Sequence, residues 1–251
     1  MDNKCIGVFD SGLGGLTVLK ELSKKHKANY FYLGDNKNVP YGDKSNEEII
    51  ELSKKIVKFL LKKDIDFFVI ACNTISTVAI EYLRKEFDKK FISITDQAIK
   101  KSLECEGDIF VIATNATCLQ HTYKIKIEEN SNKKVFEKAC PLLVSLIEKG
   151  IVKGDVLDKA LKDYLEIANE KKIENIVLGC THYPIVEDEI FKNLNYKANI
   201  IDPAKVLAKN IKFDENEKKY IEIYMTDVNE ISQKMTNKIM GEKIKIQKAS
   251  L

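Results

Sequence analysis

Short apolar runs alternate with amphipathic stretches of helical periodicity along most of this 251-residue chain. Repeated strand–helix units are typical of a largely parallel sheet with helices on both faces, so the pattern predicts an α/β fold. The predicted strands are residues 6–10, 30–33, 67–71, 91–94, 109–113, 176–179 and 199–201. The predicted helices are residues 16–26, 45–63, 76–87, 142–149, 156–169 and 185–194, with one more running from the 114–117 loop to about residue 129.

The strand–helix pattern passes through two similar cycles. The loop at Asp10 precedes Cys72 by 62 positions, and the loop at Thr114 precedes Cys180 by 66. We expect two pseudo-symmetric α/β domains with mostly parallel sheets and the active site in the cleft between them, although any strand–helix array resembles itself to some degree. The segment 220–241 supplies another predicted strand and helix. It is too short to fold alone and should return to the first domain. The predicted first domain is residues 1–95 plus 205–251, and the second is residues 96–204.

The composition indicates a cytoplasmic protein. No apolar run approaches the roughly 20 residues that a membrane helix needs. Met1-Asp2-Asn3-Lys4 leads directly into a strand without a signal-peptide pattern, so we expect no membrane partner. The six cysteines include no CxxC pair, which disfavours a zinc ribbon or a thioredoxin-type motif and fits free thiols in a reducing compartment.

Arginine is almost absent. Arg84 is the only one in the chain, whereas surfaces that bind phosphates and bases depend heavily on Arg. We therefore expect no nucleic-acid partner. An acidic small ligand would have to be held by Ser, Thr, Asn, Lys or backbone N–H groups rather than by an Arg clamp.

Two cysteines occupy equivalent positions in the two cycles. Cys72 follows the buried run 67–71, and Cys180 follows 176–179. Open α/β sheets bind ligands at the carboxyl ends of their strands, so both thiols are candidates for one site. Two such thiols, one on each side of a carbon stereocentre, suit inversion by proton transfer, because one base removes the proton and one acid delivers another from the opposite face. A helix N-terminus or nearby cation would lower the thiol pKa and favour this role.

We expect polar residues to lie beside the two thiols. Asp10 can exchange a proton with Cys72, and His182 can do so with Cys180. We expect the glycine-rich turn at 12–15 to present helix N-terminal amides to a small anion, with Asp10 and Ser11 in the cleft. A dinucleotide fingerprint is disfavoured because Thr17 stands at its third glycine. Zinc held by Cys72, Cys180 and His182 lacks the close ligand spacing of a structural site.

Five segments in the expected order resemble the glutamate racemases, cofactor-independent enzymes that supply D-glutamate for peptidoglycan. They are IGVFDSGLGGLTVL at 6–19, VPYG at 39–42, ACNT at 71–74, ACPLL at 139–143 and LGCTHYP at 178–184. The resemblance implies two α/β domains, a homodimer, glutamate as the substrate, and no pyridoxal phosphate or metal. It also implies that Cys72 and Cys180 transfer the protons, assisted by Asp10 and His182.

The same resemblance assigns substrate binding to eight residues. Thr117 and Glu148 are further cleft candidates. The chain departs from the usual family pattern at Asn38 (usually Arg), at Thr95-Asp96-Gln97 (usually Glu-Pro-Gly), at Gln120 and at Ser145. The implied substrate-binding residues are Asp10, Ser11, Tyr41, Gly42, Asn73, Thr74, Thr181 and His182.

Three other functions remain open at this stage. An aspartate racemase, or a racemase of another acidic amino acid, would use the same two thiols. A non-catalytic dicarboxylate-binding protein would grip its ligand between two lobes without exchanging the Cα proton. A nicotinamide-dependent oxidoreductase is disfavoured by the incomplete glycine fingerprint.

Overall fold

The structure, a computed structural model that describes residues 4–251, contains two wholly parallel sheets. The larger sheet has six strands in the order β10-β9-β2-β1-β3-β4, and the smaller has four in the order β6-β5-β7-β8. Their bounds are β1 Cys5–Asp10, β2 Asn29–Gly34, β3 Phe67–Ile70, β4 Lys90–Ser93, β5 Ile109–Ala113, β6 Val135–Ala139, β7 Asn175–Gly179, β8 Asn199–Ile201, β9 Tyr220–Met225 and β10 Ile246–Lys248.

Helices connect the strands and cover the sheets. Short 3-10 turns occupy Tyr41–Asp43, Leu61–Lys63 and Tyr183–Val186. The α-helices are α1 Leu16–Lys25, α2 Asn46–Leu60, α3 Asn73–Val78, α4 Ile80–Glu86, α5 Ile94–Glu104, α6 Asn115–Leu119, α7 Thr122–Glu128, α8 Pro141–Glu148, α9 Asp155–Tyr164, α10 Glu166–Lys171, α11 Glu187–Lys192, α12 Pro203–Asn210 and α13 Glu230–Met240.

The central strands are buried on both faces. Every residue of β3 and β7 is buried, as expected for parallel strands that have helices on both sides. In α2, Ile49, Ile56 and Leu60 face inward and are fully buried. This apolar stripe fixes which face of the helix packs on the sheet.

Parallel pairing places the functional loops at two sheet edges. In the larger sheet, Asp10 is in register with Gly34, and Phe9 with Ile70. In the smaller sheet, Ala113 is in register with Gly179 and with Ala139. The loops that follow these strands all leave from carboxyl ends, so the loop carrying Cys72 and the loop carrying Cys180 each lie at the edge that binds ligands in such folds.

The structure confirms the α/β class and corrects several element boundaries. The helix predicted at 76–87 begins at Asn73 and divides at Ala79. The helix predicted up to residue 129 divides at His121, whose φ of 50° lies in the left-handed region. Strands β6 and β10 and helices α5 and α12 were not predicted. Both strands are sheet edges with half-exposed or exposed residues, so they lack a continuous apolar run.

The C-terminal segment returns to the larger sheet, where β9 pairs in parallel with β2 and β10 with β9. The larger sheet therefore draws on both ends of the chain, and the smaller sheet on its middle. This arrangement supports the predicted division of the chain into residues 1–95 plus 205–251 and residues 96–204. The division stays a proposal because helices cross it: α5 and α12 pack together and both contact β7 of the smaller sheet, while α12 also packs on α1.

Two expectations from composition concern the termini and membranes. The N-terminal prediction rested on Met1-Asp2-Asn3-Lys4, of which the first three residues lie outside the described part of the chain. Within residues 4–251, none of the helices has both the length and the apolar character required to cross a bilayer.

A capping box starts α2 and gives a prediction on stability. Ser45 accepts a hydrogen bond from the Glu48 N–H at 3.2 Å, and the Glu48 carboxylate accepts from the Ser45 N–H at 3.0 Å. Ser45→Ala should lower the free energy of unfolding by about 1 kcal/mol, measured by urea denaturation. Ser45→Asp keeps an acceptor at the cap and should stay near wild type. An alanine variant as stable as the wild type would contradict the role of this cap.

Candidate active site

A cavity lies between the carboxyl edges of the two sheets. Both predicted thiols, Cys72 and Cys180, line it. So do seven of the other predicted site residues: Ser11, Tyr41, Gly42, Asn73, Thr74, Thr181 and His182. The residues that line it without having been assigned to substrate are Val39, Pro40, Asp43, Thr114, Asn115, Cys140, Pro141, Val144 and Gly179.

Most of the unassigned lining residues come from three places. Val39 and Pro40 precede Tyr41 in the VPYG segment, and Thr114 follows strand β5. Cys140 and Pro141 follow β6, the edge strand that the apolar pattern did not reveal. Both residues belong to the ACPLL segment, and this was the sequence signal that could have identified them as site residues.

Cys72 is nearly enclosed and follows β3 by two residues. Its Sγ lies 3.5 Å from the Ser11 Oγ. Burial raises the pKa of this thiol to about 12, and the charge of Asp10 adds to the rise, while the Ser11 contact opposes it. The sequence-based expectation of a lowered pKa is therefore wrong for Cys72 in this structure, because desolvation outweighs the donors around it. In the absence of a ligand, Cys72 holds its proton.

Asp10 was predicted to lie in the cleft, but it lies behind the cavity wall. It is fully buried, accepts a hydrogen bond from the Gly12 N–H at 2.9 Å, and accepts another from the Thr181 hydroxyl at 3.3 Å. Burial raises the pKa of its carboxyl, an effect that the neighbouring His182 opposes. Asp10 thus acts on Cys72 through its charge, and it joins the two sheets through Thr181.

The glycine-rich turn permits close packing. A Cβ on Gly14 would lie 2.3 Å from the Thr181 hydroxyl oxygen and 2.5 Å from the His182 Nδ1. A Cβ on Gly15 would lie 2.4 Å from the Asp10 Cβ. Gly14 therefore lets the turn approach the residues after β7, and Gly15 lets it pack on Asp10. The anion-binding role of the turn stays a prediction.

His182 connects the second thiol to a carboxylate. Its Nδ1 lies 3.8 Å from the Cys180 Sγ, and its Nε2 lies 3.1 Å from the Glu148 Oε1. Burial alone would lower the imidazole pKa, but the contacts with Cys180 and Glu148 outweigh burial and raise it to about 10. His182 consequently carries a second proton at neutral pH and can pass one along the line from Glu148 to Cys180.

Asn73 leaves one strong donor unused inside the protein. Its Oδ1 accepts a 2.6 Å hydrogen bond from the Tyr123 hydroxyl and a 3.4 Å bond from the Thr95 hydroxyl. Its Nδ2 is buried and has no hydrogen-bond partner within residues 4–251. A buried amide without an acceptor is unfavourable by about 1–3 kcal/mol, so this group suits a ligand oxygen in the cavity that it lines.

Threonine hydroxyls from both sheets meet beside Asn73. The Thr74 Oγ1 lies 3.0 Å from the Thr114 Oγ1 and 3.4 Å from the Thr117 Oγ1. Hydroxyls can both donate and accept, so this cluster can turn its hydrogens toward an anion. Arg84 lies elsewhere and bonds Glu81 and Asp96 instead.

Metal ligation receives no support from the side-chain arrangement. Among residues 4–251, no group of three or more His, Cys, Asp or Glu side chains is arranged to hold a metal ion. The zinc alternative with Cys72, Cys180 and His182 therefore lacks its ligand geometry.

The family model described as Asp/Glu/hydantoin racemase matches residues 6–211. The chain belongs to this family. A glutamate racemase of Persephonella marina is 37% identical over 98% of this chain and 97% of its own length. Glutamate racemase 3 of Caldanaerobacter subterraneus is 45% identical over 82% of this chain and 77% of its own. The crystal structure of the Francisella tularensis glutamate racemase with D-glutamate covers 100% of this chain and 98% of its own, at 30% identity and a TM-score of 0.90.

Membership of this racemase family confirms the resemblance drawn from the five sequence segments. The match with solved glutamate racemases also confirms the fold class across the full described chain.

The Glu148–His182 contact predicts a titration that can be measured directly. Glu148→Gln removes the negative charge, so the His182 pKa should fall below about 10. NMR titration of the imidazoles would show this, with His26 and His121 as internal controls because they pair with Glu215 and Glu137. A raised folded-state pKa stabilises the protein fully below the unfolded value of about 6.5, and this stability is lost as the pH rises through about 10. An unchanged His182 titration in the variant would contradict the assignment.

Proposed function

We propose that this protein interconverts L-glutamate and D-glutamate by proton transfer at Cα between two thiols, without a cofactor. The supporting observation is that Cys72 and Cys180, each just past a strand of a different sheet, line the same cavity. The named relatives are glutamate racemases, and one solved relative holds D-glutamate. The D-glutamate formed would supply peptidoglycan synthesis.

The proposed reaction balances one proton against another. The thiolate on one face of the substrate takes the Cα proton, so the C–H bond breaks, an S–H bond forms and the electron pair stays on carbon. The thiol on the other face then gives its proton to that carbon, which forms the inverted C–H bond. Cys72, whose pKa is about 12, is suited to start as the proton donor. In this direction Cys180 acts as the base in its thiolate form, and His182, whose Nδ1 lies 3.8 Å from the Cys180 Sγ, is placed to exchange a proton with it afterwards.

Neutral donors are proposed to hold the substrate carboxylates. Asn73 and Thr74 line the cavity, and the Asn73 Nδ2 has no hydrogen-bond partner within residues 4–251. Thr181 also lines it, with its hydroxyl hydrogen directed to Asp10 and its oxygen left as an acceptor. Ser11, Tyr41 and Gly42 complete the wall that we assign to the amino acid. Asp10 contributes negative charge beside this wall, which favours a substrate ammonium group.

We further propose a homodimer in the cytoplasm. The dimer rests on the resemblance to the family, and the location rests on the composition described above. Sedimentation of the purified protein at micromolar concentration tests the dimer, and a mass equal to one chain would contradict it.

Isotope exchange tests the reaction. In D₂O, each glutamate enantiomer should gain deuterium at Cα as it inverts. Cys72→Ser and Cys180→Ser should each lower kcat/KM by about 10²–10⁴-fold or more, because a hydroxyl is a far weaker acid than a thiol. Cys118→Ser, outside the cavity lining, is the matched control and should retain activity.

Two results would overturn the proposal. Wild-type rates in both active-site cysteine variants would exclude the two-thiol mechanism. Glutamate binding without Cα exchange in the wild type would instead indicate the dicarboxylate-binding alternative. Parallel measurements with aspartate would show whether kcat/KM favours that substrate.

A further inference from the structure

The carboxylate of Asp35 is buried among neutral donors. Asp35 follows β2 and is fully buried. The Asn38 side-chain amide donates to both of its oxygens, at 3.0 and 2.9 Å. The Tyr41 hydroxyl donates to Oδ2 at 2.7 Å, and the Thr226 hydroxyl donates to Oδ1 at 2.7 Å. No ion pair found within residues 4–251 involves Asp35. The hydrogen bonds from these neutral donors therefore stabilise the buried carboxylate in place of water.

Thr226 comes from the far end of the chain, directly after β9. Its single hydroxyl hydrogen goes to the Asp35 Oδ1, because the alternative acceptor, the Asn36 Oδ1, is 3.5 Å away. The Thr226 hydroxyl oxygen also accepts a hydrogen bond from the Lys37 N–H at 3.0 Å. The Thr226 N–H donates to the Gly34 carbonyl at 3.2 Å. Thr226 therefore holds the 34–37 turn by its backbone and by its side chain.

The Asp35 carboxylate passes this constraint to the cavity. Its other oxygen accepts the hydrogen bond from the Tyr41 hydroxyl, which anchors the Tyr41 ring. Tyr41 and Gly42 line the cavity and begin the 3-10 turn at Tyr41–Asp43.

We propose that Thr226 is a positioning residue that orients the substrate-binding turn at Tyr41–Gly42 through Asp35. The inference rests on the proposed function only in naming glutamate as the ligand of this turn. Thr226 touches neither the cavity nor the two thiols. Its loss should therefore weaken substrate binding more than it slows proton transfer.

Thr226→Val tests this role because it keeps the shape of the side chain and removes the hydroxyl. We expect KM for glutamate to rise about tenfold, with kcat within about twofold of the wild type. Hydrogen–deuterium exchange of the amides in 36–42 should become at least tenfold faster, since Lys37 loses its acceptor. Thr226→Ser restores the hydroxyl and should return both values to near wild type.

Thr236→Val is the matched control. Thr236 is also fully buried in the C-terminal segment, but its hydroxyl has no hydrogen-bond partner within residues 4–251. This variant should leave KM and the exchange of 36–42 unchanged. In a double-mutant cycle, we expect the KM increase of the Thr226→Val/Tyr41→Phe double variant to be smaller than the product of the two single-variant increases. Both substitutions act through Asp35, so their effects overlap.

The outcomes separate the two proposals. An unchanged KM and unchanged exchange in Thr226→Val would overturn the positioning role. A KM increase in Thr226→Ser as large as that in Thr226→Val would also overturn it. So would a double-variant KM increase equal to the product of the two single-variant increases. If the wild type failed to racemise glutamate, the proposed function would be wrong, and amide exchange in 36–42 would still decide whether Thr226 orders the turn.

Discussion

Parallel strand pairing is the constraint on which the site depends. In a parallel sheet, every strand delivers its following loop to the same edge. Here two such edges oppose one another, so residues that follow β1 and β3 meet residues that follow β5 and β7. The hydrogen bond from Thr181 to the buried Asp10 joins the two edges, and the absence of a side chain at Gly14 allows the approach.

The two thiols have different electrostatic surroundings despite their equivalent places in the fold. Cys72 is desolvated next to the negative Asp10, and its pKa is raised to about 12. Cys180 lies beside a histidine whose own pKa is raised to about 10 by Cys180 and Glu148. One thiol therefore keeps its proton, while the other has a proton-exchanging partner. An amino acid that carries its own ammonium group would alter this balance on binding.

The accuracy of the sequence predictions follows burial. β1, β3, β5 and β7 were found because strands covered on both faces show unbroken apolar runs. Among residues 4–251 the two sheets have four edge strands. β6 and β10 were missed because their exposed positions accept polar residues, whereas β4 and β8 were found at 91–94 and 199–201. The breaks at Ala79 and His121 have no glycine or proline to mark them, and they depend on how the helices pack. Half of the cavity lining was predicted, and these residues follow recognisable strands or belong to short motifs.

The sequence by itself determined the fold class, the strands that end at the two cysteines, and the polar residues beside them, because these depend on local apolar patterns and on short motifs. Only the tertiary structure decided which partners those residues have. It placed Asp10 behind the cavity wall and paired His182 with Glu148. It left the Asn73 amide without an acceptor among residues 4–251, and it brought Thr226 to Asp35 from 191 positions away. Burial and hydrogen bonding between distant segments set these contacts, and no local pattern encodes them.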